Sequence, residues 1–145
     1  MATSEVRQKS RARITAQASG ALTAGYDPTS GSYTGGAATA IDNTYDGGSE
    51  NGLGAMFLNL ELNVTTAPTT ATTAEIWYRG SEDNSTWTKW KYSHTVGDSI
   101  VATTAIIYAA GLFELTYQYT ELKAAAVSYG FTSTLMATPK LFESQ

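Results

Sequence analysis

The residues able to do chemistry are few in this chain, and their spacing is poor for it. His94 is the only histidine and there is no cysteine, so paired-histidine metal sites, thiolate nucleophiles and cysteine zinc sites are all excluded. Ser93 and Thr95 flank His94, and no Gly-x-Ser-x-Gly elbow stands anywhere in the sequence to supply a nucleophile; His94 therefore reads as structural or simply exposed. The run Asp42-Asn43-Thr44-Tyr45-Asp46-Gly47 has the first, fifth and sixth positions of a calcium loop. Thr44 stands at the third, however, and Leu53 at the twelfth, where a bidentate glutamate is required. Turn chemistry accounts for that stretch, and for Glu82-Asp83-Asn84, better than a metal does. The pairs Gly35-Gly36 and Gly47-Gly48 open no helix and so make no phosphate cradle. The expectation is a protein that is not an enzyme, with no catalytic residue, no metal and no cofactor.

Binding chemistry is better represented. Arg7, Lys9, Arg11 and Arg13 recur at every second residue, which puts four of the nine basic side chains on one side of an extended segment. Beyond Arg13 there are five basic and twelve acidic residues, so the body is close to −7 while the arm is positive. Such an arm suits an acidic surface on a neighbouring protein; without interleaved aromatics, nucleic acid is the weaker partner. Trp77, Trp87 and Trp90, the three tryptophans of the chain, fall within Ala74–Tyr92. They point to a core anchor or, where they face outward, to a platform for a subunit contact or for sugar stacking.

The elements that hold these residues read as strands. Ile76-Trp77-Tyr78 and Thr86–Tyr92 flank a polar run from Gly80, the pattern of a hairpin with a long loop. Met56, Leu58, Leu60, Leu62 and Val64 alternate with Phe57, Asn59, Glu61 and Asn63 over nine residues, a strand with one buried face. Ile100–Ala110 predicts one strand or two short ones, and Phe113, Leu115, Tyr117 and Tyr119 a further strong one. Glu121–Ala126 has helix formers but is too short to hold a helix alone, and is read as a crossing connection. Val127 to Leu135 alternates as the last strand, with Pro139 ending it. Nine of the thirteen glycines lie between Ala18 and Gly54, predicting a turn-rich loop with at most short strands, of a length that suggests a binding purpose.

Five or six strands with no helical period give an all-β antiparallel sandwich, jelly-roll-like in preference to immunoglobulin-like. Residues 1–14 form an extended N-terminal arm and 15–145 a single domain. No apolar run reaches the length of a membrane span, and no signal peptide is visible. Charged residues are 15% of the chain and hydrophobic ones 42%. A charge density that low suggests that much of the surface faces other protein, and a homo-oligomer is expected.

The segment IWYRGSEDNSTWTKW, set in a cysteine-free body rich in Ser, Thr, Gly and Ala and followed by a late aromatic strand, resembles small virion proteins of tailed bacteriophages. The style is similar to capsid decoration, or cement, proteins. That resemblance implies a β-sandwich subunit, commonly trimeric, that sits on the assembled phage head, bridges capsomers and contacts the major capsid protein or other virion proteins. A carbohydrate- or surface-binding sandwich module, or a neck or tail protein of the virion, is the alternative.

Overall fold

The computed structural model describes residues 6–10, 13–24, 34–43, 56–102 and 105–144, and among them every regular element is a strand. The order is β1 (Val6–Ser10), β2 (Ile14–Leu22), β3 (Ile41–Asp42), β4 (Met56–Thr66), β5 (Ala74–Ser81), β6 (Lys91–Thr95), β7 (Ile107–Glu114), β8 (Tyr119–Ala126) and β9 (Phe131–Ser144). They form two antiparallel sheets. In the first, β1 and β2 lie in succession along one edge of β9, with β4 on its other edge and β7 beyond; the second runs β3-β8-β5-β6. The chain is a β-sandwich.

Alternation decides which faces meet. Leu58, Leu60, Leu62 and Val64 of β4 are buried against Ile76 of β5 and Leu122 and Ala124 of β8, with Phe131, Leu135 and Ala137 of β9 in the same cluster. Each fully buried leucine contributes about 1.5–3 kcal/mol of transfer free energy, so these few residues are the main reason the sheets stay together. A polar side chain also joins the layers. Gln17 sits at an irregularity of β2, is buried, accepts from the Ala124 amide of β8 (3.0 Å) and donates to the Gly36 carbonyl (3.2 Å). Because β3 is only two residues long, this carboxamide satisfies a β8 backbone group that a longer neighbour would have paired.

Several expectations are corrected. Among the described residues there are nine strands, not five or six. Glu121–Ala126 belongs to β8, a central strand, because Leu122, Ala124 and Ala126 are buried between the layers; burial of small side chains overrides their helical preference. The stretch from Phe113 to Tyr119 is two strands rather than one: β7 ends at Glu114, and Tyr117 lies in the turn before β8. Pro139 does not end β9. It lies opposite Leu58 at the point where pairing with β2, through Ala137, gives way to pairing with β1 from Lys140. On that edge a missing N–H interrupts no recorded ladder pair. The expected Ala18–Gly54 loop is strand as far as Leu22; of the remainder, residues 34–43 return along β2 and β8, with Thr39 N bonded to Ala16 O and Ala18 N to Ala37 O (both 2.9 Å). Residues 44–54, with most of the calcium-like run, lie outside the described residues.

Candidate functional site

The tryptophans are not core anchors: none belongs to the buried cluster, and each is half-buried. A bulge explains where they go. In the β5–β6 ladder Ile76 pairs with His94 but Trp77 pairs with Tyr92, leaving Ser93 as an extra residue. Cross-strand partners share a face, so His94 points inward with Ile76 while Tyr92 points outward with Trp77. In a regular strand these two residues, two positions apart, would have faced the same way. The second arm of the hairpin also starts later than expected. It begins at Lys91 rather than Thr86, which leaves Trp87 and Trp90 in the connecting loop, free of strand alternation.

On the outer face of β8-β5-β6 the rings and charges form one connected group. The Trp77 and Tyr92 rings meet edge to face at 5.9 Å. Arg79, two residues along β5 from Trp77, places its guanidinium carbon 4.7 Å from the centre of the Trp87 ring and 5.1 Å from that of Trp90. Its Nε and one terminal nitrogen both reach Glu121 Oε1 of β8 at 2.6 Å. Lys123, opposite Trp77 in the β5–β8 register, lies 5.0 Å from the centre of Trp90. Burial pushes the Lys123 ammonium below lysine's ordinary value; Glu121 opposes that shift and Arg79 adds to it. Ring faces and cations attract through the ring quadrupole, so the face is held rigidly by contacts that local sequence spacing does not show.

The loop above this face is built by Asp83. Its Oδ1 accepts from Ser85 N (2.9 Å), Thr86 N (2.7 Å) and Ser81 Oγ (2.9 Å). The two backbone donors, then Ser81, hold the carboxyl down at about 2 from its ordinary 3.8. Thr88 ties the loop back to the strand: its N–H donates to Gly80 O (2.9 Å) and its Oγ1 accepts from Gly80 N (3.0 Å). Beneath lies a cleft of about 350 Å³ lined by Gly80, Ser81, Glu82, Asp83, Thr86, Trp87, Thr88 and Tyr117. The Tyr117 ring rests directly on the Gly80 backbone, where any β-carbon would collide with it.

A second feature lies where the free edges of β6 and β7 meet. The inward His94 crosses to the other sheet, and its Nε2–H donates to the Ala110 carbonyl at 2.6 Å while Nδ1 takes the Ser93 hydroxyl at 2.8 Å. A carbonyl only accepts, so Nε2 carries the proton. The carbonyl is presented by another bulge. Between the pairs Asn59–Leu112 and Glu61–Ala109, Ala110 and Gly111 together oppose Leu60, and Gly111 takes φ +87°. Large apolar side chains are left outside this seam: Leu112 is 66% exposed and Ile107 54% on the outer face of β7, and Tyr92 is 49% exposed across from them. A shallow cleft of about 300 Å³ between Tyr78, Tyr92, Leu112 and Phe113 runs along it.

Of the residues singled out in the sequence, Trp77, Trp87 and Trp90 are brought together. The basic arm is not gathered with them. Arg7 and Lys9 lie in β1, whose backbone pairs with β9 of its own chain from Val6–Ser144 to Ser10–Lys140; Arg11 lies outside the described residues. Arg13 is exposed and reaches Glu61 Oε1 at 2.8 Å. Arg79, Tyr117, Lys123 and Leu112 were not singled out; a cation two residues from Trp77 was the one available hint, for Arg79. Among the described residues no group of three or more His, Asp or Glu side chains is placed to hold a metal, and no helix is long and apolar enough to cross a membrane. Compared with known families, curated proteins and solved structures, the chain matches none.

Proposed function

We propose that this chain is a structural virion subunit of the capsid decoration type, which acts by protein–protein contact and carries out no reaction. In this reading it sits on an assembled phage head, with copies of itself, as a trimer, and the major capsid protein as partners. The observation that supports it is the seam between β6 and β7. Natural sandwiches blunt a free edge with charge, proline or a covering segment. Here β7 carries no charged residue before its last, Glu114, nothing among the described residues pairs with its outer edge, and the three large apolar side chains beside it, Ile107, Leu112 and Tyr92, are about half or more exposed. An edge of that kind is suited to burial against a second copy.

Sedimentation of the purified protein across micromolar concentrations tests the proposal. The wild type should be oligomeric, and Ile107→Glu with Leu112→Glu, both exposed and so harmless to the fold, should shift it to monomer. A wild type that remains monomeric at high micromolar concentration and does not bind a phage head would overturn the reading.

A further inference from the structure

We propose that the cleft beneath the Asp83 loop is a binding site for a neutral saccharide. Its volume of about 350 Å³ lies within the range of small-molecule sites, roughly 300–1,000 Å³. Trp87 and Tyr117 give it aromatic surface, and the exposed Glu82 and Thr86 give it a carboxylate and a hydroxyl at the rim. That combination matches a pyranose, which has an apolar face of C–H bonds for a ring to stack on and an equatorial belt of hydroxyls that donate to carboxylates.

The charge of the lining chooses among ligands that stack. Both carboxylates lining the cleft, Glu82 and Asp83, bring negative charge to it, and the hydrogen bonds that Asp83 accepts from Thr86, Ser85 and Ser81 favour its ionised form. A nucleotide, a phosphosugar or a uronic acid would bring its negative charge against them. The site is also formed before any ligand arrives. Asp83 fixes the loop through three hydrogen bonds, Arg79 backs Trp87 at 4.7 Å, and Tyr117 has its seat because position 80 lacks a β-carbon. Little ordering cost remains to be met on binding. The cleft lies at the end of β5 towards the hairpin loop.

The test is calorimetric titration of the full chain with a panel of neutral saccharides (glucose, galactose, mannose, N-acetylglucosamine and their short oligomers), with glucuronic acid and AMP as charged comparators. At least one neutral sugar should bind, and Trp87→Ala should weaken it tenfold or more. Glu82→Gln, an exposed change that leaves the loop's own hydrogen bonds in place, should weaken it about threefold, while Leu112→Glu should leave it unchanged. Circular dichroism melting of Trp87→Ala separates a lost wall from a lost fold, and the Glu82 variant decides the matter if Trp87→Ala melts early. A panel with no neutral binder up to tens of millimolar overturns the proposal. So does binding that is indifferent to both Trp87 and Glu82, or a preference for either charged comparator.

Discussion

Gly111→Ala is the sharpest perturbation available, because two independent costs converge on one atom. The residue holds φ +87°, and forcing a non-glycine residue into that region costs about 1–3 kcal/mol. The new β-carbon would also stand 2.8 Å from His94 Nε2. The imidazole cannot yield freely, being held at both nitrogens, so it must give up the Ala110 bond, worth about 0.5–1.5 kcal/mol. The expected loss is about 2–4 kcal/mol. With a change of about 2–4 °C per kcal/mol for a domain of this size, the melting temperature should fall by roughly 5–15 °C. Urea unfolding followed by tryptophan fluorescence gives the free energy directly. His94→Ala alone should cost about 1–2 kcal/mol, and the double variant should be less destabilised than the sum of the singles by about 1 kcal/mol, since the clash and the bond are lost together. A Gly111→Ala protein within 0.5 kcal/mol of wild type, or strict additivity of the pair, would show that the seam is not closed by this contact.

Arg79→Ala removes the Glu121 pair and the cation between two indoles, and should cost about 1–2 kcal/mol in urea unfolding. Arg79→Lys should recover less than half of that, because an ammonium cannot stack on the rings and reach the carboxylate in the same way; full recovery would contradict the stacking. Asp83 has its folded-state pKa depressed to about 2 from 3.8, so its contribution is present above about pH 4 and is lost as pH falls through about 2. A fluorescence change of the hairpin loop should follow that window and be absent in Asp83→Asn; an unchanged profile in that variant would count against the loop's design. Deleting residues 1–13 removes β1 but leaves β2 on β9, so the sandwich should still fold cooperatively by circular dichroism while association weakens as it does at high salt. A deletion that unfolds the chain, or one without effect on association at low salt, would refute this.

How much of this was legible varies from element to element, for physical reasons. The β4 strand could be read outright because Leu58, Leu60, Leu62 and Val64 are buried on one face, so burial itself writes the period of two. The ELKAAA stretch could not be read, since three alanines carry no period; only the buried position between the layers makes them strand. The hairpin was found but its ends were not, because Trp87 and Trp90 mimic a strand while their actual partner is the Arg79 guanidinium. The bulges at Ser93 and at Ala110–Gly111 decide which way Tyr92, His94 and Leu112 face, and a bulge leaves no composition signal beyond a glycine. The site was therefore half visible. Its aromatic residue types stood in the sequence, but the Tyr117 floor and the seam exist only once distant segments meet.

The long strand β9 has a consequence for how the molecule reaches its folded state. It carries β2 on one edge and β4 on the other, and its partner across the ladder is remote: Thr15 meets Met136 from 121 positions away. Closing so large a loop delays the reward of the contact, which places this topology among slow folders, on a timescale of roughly milliseconds to seconds. Until β9 arrives, Met56–Thr66 has a bare edge, the pattern that recruits another chain. Substitutions in β9 that leave the finished protein nearly as stable should therefore lower refolding yield as protein concentration rises. The chain's vulnerability is greatest on the way to the fold, before the strand that joins its two ends is in place.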